Sequence, residues 1–184
     1  MINFPGLIVS SSRTMERNAS SELYYLLTEI LDIKNTKIEP VKGIMGLSIA
    51  SFDGDSVKVL SDIESKVEED QSLLQYVLKL VPVQYRIPSS LKALKESSSF
   101  MSNHIKENMT WKVNLRRRHT QLSRQDIISA IVSEIKNGRV KLENPDKHII
   151  VEVVGKWTYL AITTIPELSL SKFHLDKEKD EFYF

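Results

Sequence analysis

Apolar residues along this chain recur with two different periods, and the switches between them mark out its elements. Leu7, Ile8 and Val9 form a short apolar run within residues 6–11, which predicts a buried strand. Over residues 15–31, Ala19, Leu23, Leu26, Leu27 and Ile30 recur at steps of three and four, the stripe of a helix that packs one face on a sheet. Strands are predicted at 37–41 and 44–52, joined through Lys42-Gly43, with Asp53-Gly54 as the next turn. A second helix opens at Asp55 and runs to residue 69 on a stripe of Val57, Leu60, Ile63, Glu64 and Val67, and residues 74–83 close the set as a strand. The order βαββαβ is that of a ferredoxin-like fold.

Ile87-Pro88-Ser89-Ser90 punctuates the chain between two periodic segments and is read as a boundary. The expected organisation is residues 1–87, then 88–166, then an extension at 167–184. Beyond the boundary a helix is predicted over 90–106, with Ser97-Ser98-Ser99 interrupting its pattern, followed by a strand at 111–117. Ser123 is a good helix N-cap with Asp126 three residues later. Ile127, Ile128, Ile131, Val132 and Ile135 then share one face until Asn137-Gly138 ends the helix. After a turn at Asn144-Pro145-Asp146, strands are predicted at 148–154 and 157–163. Residues 168–175 read as an edge strand. A charged stretch and Phe182-Tyr183-Phe184 follow, three aromatics that either dock on the protein's own body or meet a partner. The fold class expected is α+β.

Composition narrows the chemistry. The chain has 184 residues, of which 41% are hydrophobic, enough for a core. It has no cysteine, which excludes disulfides, thiol catalysis and cysteine-based zinc or iron-sulfur sites. Its start does not resemble a signal peptide and no segment approaches the ~18 apolar residues of a membrane span, so a soluble cytoplasmic protein without a membrane partner is expected.

The formal net charge of +1 hides a segregation. Residues 1–85 hold eight Lys and Arg against twelve Asp and Glu, whereas residues 86–141 hold twelve against four. Such asymmetry is the footprint of a nucleic-acid-binding face, or of a solvated surface with no partner. Alternation in the strand at 111–117 places Trp111, Val113 and Leu115 on one face and Lys112, Asn114, Arg116 and Arg118 on the other, with guanidinium groups expected to project to solvent. Arg116, Arg117, Arg118 and His119 are therefore the first candidates for phosphate contact, since arginine forks suit phosphate oxygens. Lys112, Arg124, Arg139 and Lys141 extend the set. Ser10-Ser11-Ser12-Arg13 lies where a strand feeds a helix, a place that suits either an anion or simple helix capping, and capping is the preferred reading. Arg13, Arg17 and Lys42 are candidates for a second backbone contact. Trp111 and Trp157 fall at apolar strand positions, where core packing is preferred over base stacking.

No residue set for chemistry accompanies this charge. The histidines at 104, 119, 148 and 174 are too scattered to propose a metal site, and no G-x-S-x-G elbow, phosphate loop or dinucleotide fingerprint is present. Catalysis and a resident cofactor are not expected.

The run WKVNLRRRHTQLSRQDIISAIVSEI, followed by VKLENPDKHIIVEVVGKWTYLAI, resembles the THUMP domain of tRNA-modifying proteins, and most of all the stand-alone THUMP proteins that assist tRNA cytidine acetylation. The basic strand end, the helix, the V-x-L-x-N-P-D turn and the V-E-V strand fall in the family's order. LIVSSSRTMERNASSELYYLL resembles the opening strand and helix of the ferredoxin-like subdomain that precedes THUMP in such proteins. The family's pattern often has a glycine near the basic strand end, whereas this sequence runs RRRHTQL. Related enzymes fuse THUMP to a catalytic domain, for which these 184 residues leave no room. The resemblance implies a ferredoxin-like N-terminal subdomain followed by a THUMP module. It also implies a non-catalytic adaptor that binds tRNA, with no DNA expected, and presents it to a separate tRNA cytidine acetyltransferase. Two other classes stay open: a regulatory module that binds a small ligand, and a protein-interaction scaffold without RNA.

Overall fold

Nine strands and four α-helices follow one another along residues 1–170, the part of the chain that this computed structural model describes. In chain order they are β1 (Ile2–Ser11), α1 (Glu16–Tyr25), β2 (Lys37–Pro40), β3 (Leu47–Ser51), α2 (Ser56–Glu69), β4 (Val77–Pro88) and α3 (Leu91–Ser102). Then come β5 (Thr110–Arg118), α4 (Arg124–Val132), β6 (Arg139–Val140), β7 (Lys147–Val154), β8 (Trp157–Thr163) and β9 (Leu168–Ser169). The mixed α and β composition is the expected one. Of the strand predicted over 168–175 only β9 lies among the described residues, and the charged stretch and Phe182-Tyr183-Phe184 lie outside them.

The described residues pack as two units: Pro5–Pro82 with residues 167–170, and Met1–Phe4 with Val83–Pro166. In the first, the strands lie in the order β2-β3-β1-β4, with β9 beside β4. That is the ferredoxin-like arrangement, with β3 antiparallel to both β1 and β2. Leu7, Ile8, Leu23 and Leu60 are fully buried there, each contributing roughly 2 kcal/mol by leaving water. Asp55 caps α2 by accepting from the backbone of Val57 and Lys58 at 2.7 and 3.0 Å. The buried stripe of α2 uses Val59 where alternation of the pattern pointed to Val57. The last turn of the first helix widens over Leu26–Ile30, where the Leu31 N–H reaches back five residues to the Leu26 carbonyl.

The predicted serine cap on α1 is not there. No side chain caps that helix at its N-cap, Met15. The Glu16 carboxylate instead accepts from the backbone N–H groups of Thr14 and Gly46. Gly46 has φ +72°, and a Cβ there would sit 2.7 Å from the Ser11 carbonyl oxygen, so only glycine permits this approach.

The strand predicted at 74–83 begins at Val77 and continues to Pro88. Its later residues pair with β8, from Tyr85 opposite Leu160 to Pro88 opposite Trp157. The second unit orders its strands β4-β8-β7-β5-β6, with β5 parallel to both β6 and β7 and the remaining pairs antiparallel. Helices α3 and α4 share one apolar cluster with the strands, including Leu94, Met101, Trp111, Leu115, Ile127 and Val151. Ser97-Ser98-Ser99 does not divide α3. Ser97 is buried with its hydroxyl donating to the Leu94 carbonyl at 2.8 Å, and the buried Ser98 hydroxyl accepts from Glu134 N–H at 2.9 Å. Helix α4 ends at Val132, short of the expected Asn137-Gly138, because Trp111 Nε1 donates to the Asn137 carbonyl at 3.1 Å and draws that segment back against β5.

Candidate nucleic-acid interface

Strand β5 presents its side chains as alternation requires. Trp111 and Leu115 are buried in the apolar cluster with the helices, and Lys112, Asn114, Arg116 and Arg118 take the other face. Parallel pairing sets Lys112 opposite His148 and Arg116 opposite Glu152 on β7. The polar face is consequently a bonded one. Lys112 Nζ donates to the Leu142 carbonyl at 3.0 Å, and His148 Nδ1 donates to Asn114 Oδ1 at 3.0 Å. Burial holds the His148 imidazole below its ordinary pKa, and the Lys112 ammonium adds to that effect.

Arg116 and Arg118 do not project freely to solvent as the alternation suggested. Arg118 Nη1 lies 2.5 Å from Glu152 Oε2, and Arg116 Nε lies 3.9 Å from Glu152 Oε1. Their side chains are 23% and 38% exposed against 3% for Glu152. Glu152 is the residue that sequence reasoning missed. Its signal was a lone acid inside the apolar run Ile149–Val154, but the pairing that brings it under the arginines is non-local.

Arg117, on the opposite face, donates through Nη1 to the Leu122 carbonyl, and Arg124 Nη1 donates to the Leu115 carbonyl at 3.2 Å. Both remain exposed while fixing the loop between β5 and α4. His119 turns the strand end with φ +53°, the left-handed backbone that glycine adopts most easily. A histidine here occupies such a position near the basic strand end, and its side chain stays exposed.

Arg139 and Lys141 are exposed on the edge beside the start of β5. Their backbone N–H groups donate to the carbonyls of Met109 and Trp111 at 2.9 and 3.0 Å, so the main chain fixes where they stand. At ~3.3 Å per strand residue, the Lys112 end of β5 and the Arg118 end lie roughly 20 Å apart. The candidates thus form two clusters at the two ends of one strand: Lys112, Arg139 and Lys141 by its start, Arg116, Arg117, Arg118, His119 and Arg124 by its end. Arg13, Arg17 and Lys42 belong to the other unit, all exposed, with Arg17 bordering a shallow depression shared with Asn18, Ser21 and Tyr76.

Trp111 packs in the core, whereas Trp157 is half-buried with the Arg86 guanidinium 4.4 Å from its ring centroid. Among the described residues no helix is long and apolar enough to cross a membrane.

Residues 91–163 match the sequence model of the THUMP domain. The chain contains a THUMP domain. The matched segment runs from the first residue of α3 to the last of β8 and so includes both cationic clusters. The uncharacterized protein MJ0421 of Methanocaldococcus jannaschii is 28% identical over 141 residues, 74% of this chain and 36% of that protein. Among solved structures, TrmN from Thermus thermophilus superposes with TM-score 0.60 at 15% identity, covering 91% of this chain and 47% of TrmN. PH1313 from Pyrococcus horikoshii gives 0.59 at 16%, covering 90% and 55%. A 4-thiouridine synthetase in complex with RNA and ATP gives 0.51 at 12%, covering 90% and 42%. These likenesses establish a shared fold. The chain spans about a third to a half of the length of these relatives.

Proposed function

We propose that this chain binds tRNA through its THUMP domain and serves tRNA modification. The observation that carries the reading is the set of exposed cations, Arg117, Arg124, Arg139 and Lys141, which backbone and carbonyl bonds mount at the two ends of one strand within the THUMP segment. Fixed cations ~20 Å apart suit a backbone that carries phosphates at regular intervals and suit no single small anion. The 4-thiouridine synthetase that shares this fold was crystallised with RNA, which supports the same partner class here.

The finer reading is that of a cytoplasmic adaptor without catalytic residues or cofactor of its own. It presents tRNA to a separate cytidine acetyltransferase, which supplies the reaction while this protein contributes affinity and placement. The resemblance of residues 111–162 to the stand-alone acetylation adaptors supports it. Reconstitution tests it: tRNA acetylcytidine formation by the acetyltransferase should rise at least tenfold on adding this protein, equivalent to ~1.4 kcal/mol of barrier. Equal rates with and without it reject the adaptor role and leave tRNA binding to be judged separately.

A further inference from the structure

Arg116 and Arg118 stand two residues apart on one face of β5, roughly 6.6 Å along the strand. Two guanidinium groups at that spacing repel one another, and on long side chains they would spread over many rotamers. Both instead meet the carboxylate of Glu152, Arg118 at 2.5 Å and Arg116 at 3.9 Å. Glu152 is 2% exposed and flanked in its strand by buried Val151 and Val153. An acid at such a place is costly unless partnered, and an apolar residue would fill the position without that cost.

We infer that Glu152 is a positioning residue for RNA phosphate: it holds the Arg116 and Arg118 guanidinium groups in one fixed arrangement. The inference rests on the proposed tRNA binding and deepens it. Both arginine side chains keep part of their surface open to solvent, 38% for Arg116 and 23% for Arg118, and are oriented before RNA arrives. Order established in advance is not lost again on binding, so it appears as affinity. Glu152 itself touches no ligand in this scheme. It acts through the arginines.

Two accounts of Glu152 differ in the sign of one measurement. If charge alone matters, Glu152→Gln removes a negative group beneath a phosphate contact and tightens binding. If positioning matters, Glu152→Gln weakens tRNA binding roughly three- to tenfold although the protein becomes more positive. It should then have no further effect in an Arg116→Ala/Arg118→Ala background. Arg118→Lys, which keeps charge and a possible ion pair but loses the fork, should weaken binding by a similar factor, and it serves if Glu152→Gln does not fold. Wild-type protein that binds tRNA while Glu152→Gln binds equally or more tightly overturns the inference alone, as does Arg118→Lys binding like wild type. Wild-type protein that binds no tRNA overturns the binding reading and this inference together.

Discussion

The Asp146 carboxylate accepts two hydrogen bonds from Thr110, one from its backbone N–H and one from its hydroxyl, each 2.7 Å long, and the Asp146 N–H donates back to that hydroxyl at 3.0 Å. The two residues thereby close the segment that carries Arg139 and Lys141 onto the first residue of β5. The Thr110 N–H, and after it the hydroxyl, hold the Asp146 carboxyl below the ordinary carboxylate pKa. A depressed folded-state pKa stabilises at pH above the unfolded value and is lost as pH falls through the folded one, so this tie weakens only in acid. Asp146→Ala should speed amide hydrogen exchange at Arg139 and Lys141 at neutral pH and weaken tRNA binding. Unaltered exchange there would contradict this account of the edge.

Gly138 fixes the same segment sterically. Its φ is +73°, and a Cβ would meet the Met109 carbonyl oxygen at 2.6 Å and Trp111 Cδ1 at 3.0 Å. Gly138→Ala should cost about 2 kcal/mol or more in urea denaturation, because both the backbone and the contact are unfavourable. A loss below ~0.5 kcal/mol would show that the loop relaxes freely.

His148 sets a pH dependence near neutrality. Burial, with Lys112 adding to it, lowers its folded pKa below the ordinary 6.5. The unfolded chain therefore takes up the proton first, and stability falls as pH drops from the unfolded value through the folded one. NMR titration should place His148 below 6.5, and His148→Gln should flatten the fall in melting temperature as pH drops below 6.5. An imidazole titrating above 6.5 would refute the burial argument.

The two cationic clusters should act independently, since roughly 20 Å exceeds the range over which neighbouring substitutions couple. Arg139→Ala/Lys141→Ala should weaken tRNA binding at unchanged melting temperature, whereas Arg116→Ala/Arg118→Ala should weaken binding and also lower the melting temperature, because it strips the buried Glu152 of both ion-pair partners. Each should also reduce the salt slope by about 1 to 2, and their free-energy effects should add. A pair with unaltered affinity is removed from the interface.

What the sequence disclosed was local. The buried run Leu7-Ile8-Val9, the helix opening at Asp55, the cap at Ser123 and the alternation of β5 each depend on residues a few positions apart, and each is present. What it withheld depends on pairing across the chain. The continuation of β4 to Pro88 requires β8 as a partner 70 residues on, and the early end of α4 follows from a bond between Trp111 and Asn137. Candidate residues were legible as a charge pattern, but Arg116 and Arg118 looked free because nothing near them in sequence indicates Glu152 on the neighbouring strand.

Equilibrium binding to unmodified tRNA across a salt series tests the central claim most directly. With about four phosphate contacts, log K against log salt should fall with a slope near −3 to −4, from a micromolar or tighter Kd at about 0.1 M salt, so that tripling the salt weakens binding roughly fiftyfold. Binding that is absent, or that does not change with salt, would contradict a THUMP domain that grips RNA through fixed cations.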